Sequence, residues 1–480
     1  MAKNKQSVKP PTLELSPDRS RPTADFNDPV MCAQAYKIDH VGMNAYLVAL
    51  AAWQRGLKVT FHYQFHTGPA RFARLPVQGW RGELFSVSDG RKTHWFRRTQ
   101  GDLTRRDVSA VVNDKAQTRQ VLMRHGIDVP DGLVVSRDDT AGVAAFVARH
   151  PGRVFILKPL DGTLGQGVQR RVPGDEVLQR LAASDGKPLL LEEFVEGVVH
   201  RVNVVGNRYV AAYALEVASV TGDGRHTVTQ LMELKNAACR HRPLYPTQRL
   251  QLREREQAFL QARGLTPESV LPAGEWVQLN DIPLGNEGAD MVDATDRLPM
   301  EAREMAVRAA LALDIPVTGL DIIVHPSGRV VVLEANQNPL IHGNVFPRNS
   351  ASPGNRLAEA IIDFYFPGSV GNRRLTQANF DFMAVCQALQ GGSVGEVSLP
   401  LLGPQWTHRR LRVPARVQGQ ETALPLRSLM WRLGVHGQGY AVDEQTLLLD
   451  LLAPEAVMQR FVEALKERPD AAPDERTEQP

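Results

Sequence analysis

The sequence predicts a mixed α/β (α+β) protein, and three observations carry that prediction. Met43, Tyr46, Leu47, Leu50 and Ala51 recur at helical spacing, Gly56 offers a stop, and residues 58–63 alternate as a strand. Val317–Val324 and residues 329–336 read as two strands joined by His325-Pro326-Ser327-Gly328. Hydrophobic residues make up 43% and charged residues 23% of 480, an ordinary globular composition. That length allows about two to four domains and at least one sizeable core.

Bulk charge excludes little but points nowhere exotic. The 56 basic and 53 acidic residues leave a net charge of +3, so no global attraction to nucleic acid or membrane follows. No apolar run approaches the ~20 residues of a membrane span. Residues 1–28 are polar and proline-containing without an apolar signal core, and read as a disordered tail. Cys32, Cys239 and Cys386 are odd in number and far apart, which encodes neither a disulfide framework nor a zinc site. A cytoplasmic protein is expected.

Residues 29–110 read as a first α/β domain. Within it, residues 91–98 (RKTHWFRR) mix basic and aromatic side chains, and a solvated strand edge explains them better than a nucleic-acid site. Residues 113–125 predict a helix that Asn113 or Asp114 caps, with Gln117 completing the box and Gly126 ending it. Strands follow at 132–136, 155–159, 188–192, 202–205 and 209–217, and helices at 228–236 and 300–313. Residues 240–275 are charged and insertion-like, as a cover over a site would be. A polar linker is expected at 369–379, a small α/β domain at 380–468 and a disordered tail at 469–480.

The 317–336 hairpin holds the first chemical clue. Glu334 and Asn336 share a face, because side chains alternate along a strand. With a two- or four-residue turn, Asp321 lies across from Val332 on that face; a five-residue turn would flip it away. Two carboxylates and an amide oxygen among Val, Ile and Leu are hard-oxygen ligands suited to magnesium. The alternative for each acid is to cap a helix or pair with an arginine.

Lys158 ends a buried strand before a loop with Gly162, Gly165 and Gly167. Glycines let backbone amides approach a phosphate, and the lysine supplies a point charge. The spacing GxxGxG is not the dinucleotide fingerprint, and no GxxxxGK[ST] occurs. With the magnesium-type face downstream, a nucleoside triphosphate is the best joint explanation.

Six segments in order resemble the ATP-grasp ligases: Asp114-Lys115 with Thr118-Arg119; Leu157-Lys158 through Gly167; Glu192 through Gly197 with His200-Arg201; Gly222 through Thr227; Asp293 through Asp296; and Gly319-Leu-Asp321 with Glu334-Ala-Asn336. The likeness spans residues 111–368 and is nearest to the ATP-grasp domain of cyanophycin synthetase, with glutathione-synthesising and D-alanine–D-alanine ligases behind it. It implies an ATP-grasp fold with residues 29–110 as a pre-ATP-grasp domain. It implies that Lys115 and Lys158 hold ATP phosphates under the 162–167 loop, and that Glu192, Glu193, Val195 and Glu196 surround the nucleotide. It further implies that Asp321, Glu334 and Asn336 bind Mg2+, with Mn2+ as a substitute. Arg201, Arg225 and Lys235 are candidates for the substrate carboxylate or the γ-phosphate. The family's ribose contact falls at Val199 and its phosphate-contacting arginine at Asn280; a paired glycine becomes Gly288-Ala289, and the glycine after Asn-x-x-Pro is Leu340.

The C-terminal domain is faintly similar to acylphosphatase, a ferredoxin-like fold, but its phosphate-binding arginine falls at Ala423. An accessory domain with residues 406–412 as a basic edge strand is expected. The implied function is an ATP-dependent carboxylate–amine ligase that joins amino acids or peptides through an acyl phosphate. The alternatives are a weakened ATP-binding scaffold and an ATP-grasp phosphotransferase. ATP and an amino-acid or peptide substrate are the expected partners, without nucleic acid or membrane, and a homo-oligomer is compatible with this reading.

Overall fold

A computed structural model describes residues 12–20, 23–64, 82–160, 167–240, 242–244, 248–348, 350–370, 375–414, 423–443 and 446–467. The predicted class holds: the molecule is mixed α/β with antiparallel sheets. Contacts divide the chain into two units, Met1–Asp18 with Thr99–Ala351, and Arg19–Arg98 with Ser352–Pro480.

The first unit contains two main sheets. One has four antiparallel strands in the order Gly132–Val135, Leu189–Glu193, Val154–Pro159, Gln169–Pro173. Helices Thr140–Ala148 and Val177–Ala182 cover it, burying Val143, Phe146, Val177 and Leu181 against Phe155, Leu157 and Leu191. The other has five antiparallel strands in the order Asp290–Asp293, Arg208–Glu216, Val198–Val205, Val317–Val324, Val330–Asn336. One face packs on helix Met300–Ala312, whose Ala302, Ala306, Ala309 and Ala310 let the backbone approach Val202, Val204, Leu320 and Ile322 closely. Its opposite face carries Val199, Tyr213, Leu215, Ile323 and Val331, and it is this face that bears the charged site described below.

Helix Lys115–Arg124 starts where the sequence places it. Of the two cap candidates Asp114 is the one used: its Oδ1 accepts from the amides of Ala116 and Gln117, and Gln117 Nε2 donates to Oδ2. Such a cap contributes about 1 kcal/mol. The insertion-like segment around residues 219–280 forms its own small layer. Strands Ser219–Thr221 and Trp276–Gln278 pair, and helices Val228–Cys239 and Glu254–Gln261 bury Leu231, Met232 and Leu260 with them.

In the second unit, strands Glu396–Ser398, Lys58–His62, Leu84–Ser88 and Thr93–Arg97 are neighbours in that order. They pack with the wholly buried helix Gly42–Gln54. Thr376 and Ala378 of the expected linker 369–379, and Phe380 and Phe382 at the start of the expected 380–468 domain, lie in this core. Phe380 and Phe382 stack around Tyr46 and Phe61, and Gln54 Nε2 donates to the carbonyls of Thr376 (2.8 Å) and Ala378 (2.7 Å). Further along, strands Trp406–Pro414, Thr446–Pro454 and His436–Ala441 form a three-stranded sheet with helices Ala423–Leu433 and Glu455–Lys466. Trp406–Pro414 lies at its edge, as the sequence suggested.

Candidate active site

The hairpin pairs its acids by a route that strand alternation alone does not give. Its turn closes with His325 N donating to Arg329 O (2.9 Å), so three residues stand between the paired ends, and Gly328 takes φ +88 to make the reversal. Val324 then faces Val330 and Ile322 faces Val332, a register one residue away from the expected one. Left alone, that slip would turn Glu334 away from Asp321. A bulge restores the phase: the register shifts between Asp321 and Ile322, so Asp321 lies opposite Glu334 and Gly319 opposite Asn336. Asp321 across from Val332 is therefore corrected to Asp321 across from Glu334. The shared oxygen face survives because two one-residue offsets add to two, one full period of strand alternation.

On the other side, Val317–Val324 pairs with Val198–Val205, which sets Arg201 opposite Asp321. Arg201 clamps the carboxylate with both arms, Nε to Oδ1 at 2.5 Å and Nη2 to Oδ2 at 3.1 Å. Gly319 makes room for the clamp, since a Cβ there would stand 2.8 Å from Arg201 Cδ and 2.8 Å from Pro339 Cβ. Burial pushes the Asp321 carboxyl up to about 6; Arg201 opposes that shift and Glu334 adds to it. Burial works against the Arg201 charge, yet the Asp321 carboxylate more than offsets it and holds the guanidinium above its usual range. Asn336 Nδ2 lies 3.4 Å from Glu334 Oε1. Among the described residues no three His, Cys, Asp or Glu side chains group as a metal site. Two carboxylates and an amide oxygen on facing strands fit magnesium, which takes oxygen ligands and keeps several waters.

Lys158 and Glu192, on neighbouring strands of the four-stranded sheet, form a buried ion pair at 2.5 Å. Lys115 begins its helix close to them in the chain trace, with its amide donating to Leu160 O at 3.4 Å. Gly167 has φ +70, and a Cβ there would sit 3.0 Å from Pro159 Cγ. Gly162 and Gly165 lie outside the described residues. Glu193 accepts from Arg329 Nη1 (3.1 Å) and from the Asp131 amide (3.3 Å). Val195 is buried with Ile323 and Val331 of the hairpin. Glu196 is exposed and paired with both arms of Arg171 at 2.9 and 3.0 Å.

Arg329, which sequence reasoning missed, ties these parts together. It follows the hairpin turn and reaches Asp128 at 2.8 and 3.1 Å as well as Glu193. The hydrogen bonds to Asp128 are the main cause of its raised pKa, with burial opposing and Glu193 assisting. Nothing in its sequence context distinguishes it from a surface arginine.

The other two cationic candidates stand apart from the clamp. Arg225 is exposed in a turn whose Asp223 side chain accepts from the Arg225 and His226 amides. Lys235 donates to Ser219 O (2.8 Å) and Asp290 Oδ2 (2.7 Å), and burial lowers its pKa. Asn280, at a family arginine position, is fully engaged in structure: it donates to Glu256 Oε1 and Glu287 O and accepts from the Ile282 amide. Val199 is likewise a core residue.

No protein-family model matches the chain. Among curated proteins it is similar to the glutathione biosynthesis bifunctional protein GshAB of Enterococcus faecalis, at 29% identity over 277 residues, covering 54% of this chain and 36% of the relative. The protein of the same name from Clostridium perfringens is 26% identical over 305 residues, covering 59% and 38%. The chain thus spans little more than a third of the length of these relatives. Among solved structures, a bifunctional glutathione synthetase from Pasteurella multocida gives a TM-score of 0.45 at 23% identity, covering 59% of this chain and 40% of that one. The ATP-grasp ligase PsnB complexed with minimal precursor gives 0.34 at 18% identity, covering 54% and 62%.

Proposed function

We propose that the chain is an ATP- and magnesium-dependent carboxylate–amine ligase of the ATP-grasp type, acting on an amino acid or peptide. The observation that carries the reading is the bulge that brings Asp321 opposite Glu334 while Arg201 holds Asp321 from the neighbouring strand. A surface acid needs no such arrangement. The six ordered motifs and the likeness to the GshAB proteins support it independently.

In this reading Lys115 and Lys158 hold the ATP phosphates. Glu192 pairs with the buried Lys158 and holds its ammonium in place before nucleotide arrives. Glu192, Glu193, Val195 and Glu196 line the nucleotide, with Gly162, Gly165 and Gly167 in the loop over the phosphates. Asp321, Glu334 and Asn336 would hold Mg2+, or Mn2+ in its place, which when bound neutralises charge developing on the transferred phosphoryl group. Arg201 orients Asp321, Lys235 is available to a substrate group further from the hairpin, and Arg225 is available to the reacting substrate carboxylate. That carboxylate attacks the γ-phosphorus, ADP leaves, and an amine then displaces phosphate from the acyl phosphate to form the amide. Catalysis is positioning and electrostatic stabilisation, without a protein nucleophile. Such chemistry suits a cytoplasmic protein. Among the described residues, no helix is long and apolar enough to cross a membrane.

The test is phosphate release from ATP-Mg2+ across a panel of amino acids and short peptides, followed by the mass of any product. Amine-dependent release with a condensed product is expected. A stable phosphorylated product, or ATP binding without turnover on any panel, overturns the ligase reading.

A further inference from the structure

A second site lies at the far edge of the five-stranded sheet. Lys235, Cys239, Arg242, Asp290, Met291 and Arg348 line a cleft of about 490 Å³, counting the space open to solvent. Three cations face one carboxylate there. Asp290 Oδ2 is shared by Lys235 (2.7 Å) and Arg348 Nε (3.0 Å), so the single acid is already committed. Arg242 is held by backbone, its Nη2 donating to Pro347 O at 2.8 Å and Nη1 to Arg348 O at 3.3 Å, with no acid of its own among the described residues. Arg348 is fixed at its root by its amide, which donates to Met291 O at 2.7 Å. The cleft is therefore a rigidly built surplus of about two positive charges in a partly dry recess, where an anion is strongly favoured.

Its position relates it to the hairpin. Met291 lines the cleft and also packs with Tyr213 on the face that carries Arg201 and Asp321. Tyr213 is opposite Arg201, Arg201 opposite Asp321 and Asp293 opposite Tyr213, so one row of side chains crosses the sheet to the strand that carries Asp290 three residues before Asp293. Three strand spacings of about 4.8 Å separate the strand of Asp321 from that of Asp290, and three residues of about 3.4 Å separate Asp290 from the row of Asp321, roughly 17 Å in all. An extended peptide covers that distance in about five residues.

We propose that this cleft binds a second carboxylate of the substrate, roughly 17 Å from the carboxylate that reacts at the hairpin, so that the enzyme selects acidic peptides over neutral ones. The proposal rests on the ligase reading for the word substrate, but the binding it describes does not require turnover. Paired guanidinium groups and a lysine recognise a planar carboxylate, and the isosteric amide leaves their charge uncompensated.

Cys239 in the cleft wall gives a direct readout. The full chain is exposed to a thiol reagent, and modification of the Cys239 peptide is followed by mass spectrometry with acetyl-Asp-Ala-Ala-Ala-Ala, acetyl-Asn-Ala-Ala-Ala-Ala or inorganic phosphate present. The aspartyl peptide is expected to slow labelling about tenfold at a concentration where the asparaginyl peptide has little effect, and Arg348→Gln and Arg242→Gln should each abolish the difference. Equal protection by both peptides, or by neither, overturns the proposal, as does phosphate protecting as well as the aspartyl peptide. Persistence of the difference in both folded variants also overturns it. If the ligase reading alone is wrong, protection is seen but no peptide supports phosphate release; if the cleft assignment alone is wrong, turnover is seen without discrimination in labelling or in KM.

Discussion

Replacing Arg201 by Met tests the clamp through the pH dependence of stability. The Asp321 carboxyl titrates at about 6 in the folded protein, against an ordinary value of 3.8. An acid raised in this way contributes stability that is complete below pH 3.8 and is lost as pH rises through 6. Arg201 is the cation that keeps the value from rising further, so in Arg201→Met the folded carboxyl stays protonated to higher pH. Between pH 6 and pH 8 the wild-type native state ionises Asp321 while the variant holds it more protonated, and both unfolded chains are ionised. The variant therefore loses at most about 1.4 kcal/mol per pH unit relative to wild type, with about 2.7 kcal/mol across the window as the ceiling. That agrees in scale with the roughly 3–5 kcal/mol cost of removing one member of a buried pair. Urea denaturation of wild type, Arg201→Met, Asp321→Asn and the double variant at pH 6 and pH 8 measures it. The gap between Arg201→Met and wild type should widen by up to that amount, and should not move with pH in the Asp321→Asn background. A gap that is the same at both pH values would refute the electrostatic account of the clamp.

Three further outcomes follow from the same geometry. Glu334→Ala should lower magnesium-dependent phosphate release by about 100-fold or more while leaving the thermal transition within a few degrees, checked by coupled assay and circular dichroism; retained activity counts against the metal assignment. Lys158→Met should weaken ATP binding by about 10-fold or more and destabilise the four-stranded sheet by about 3 kcal/mol, because Glu192 is left buried and unpaired; calorimetric titration and denaturation read the two effects, and Lys158→Met/Glu192→Gln should recover stability but not affinity. Gly319→Ala should cost about 1–3 kcal/mol and displace Arg201, since the new methyl meets its Cδ at 2.8 Å; unchanged stability and activity would show that the strand yields more easily than its packing suggests.

Local features were the legible ones. The cap at Asp114, the strand ending in Lys158 and both arms of the hairpin depend on neighbours in sequence, and alternation and turn chemistry encode them. The candidate site was legible only in its residues. That Arg201 meets Asp321 is a matter of which strand lies beside which, 120 positions apart, and no local period reports it. Neither the turn length nor the bulge is legible in the sequence, and Asp321, Glu334 and Asn336 still share a face because the two offsets add to one period of strand alternation. Residues 369–379 read as a linker because they are polar, and 380–468 as a separate domain because no local period ties that segment to the earlier helix and strands. Their contribution to the core comes through the carbonyls of Thr376 and Ala378, which accept from Gln54, through Phe380 and Phe382 around Tyr46 and Phe61, and through pairing of Glu396–Ser398 with Lys58–His62.

The bulge at Leu333 also bears on how this hairpin tolerates insertion and deletion. Arm Val330–Asn336 carries one residue more than its ladder pairs, and that surplus is Leu333, whose side chain joins the apolar face beside Val331. Deleting Leu333 would regularise the ladder and still deliver Glu334 opposite Asp321. Adding a residue anywhere between the turn and Val332 would demand a second surplus or send both acids to opposite faces. Length changes in this short arm are thus read by parity, and the position most dispensable for register is the one adjacent to the acid it phases.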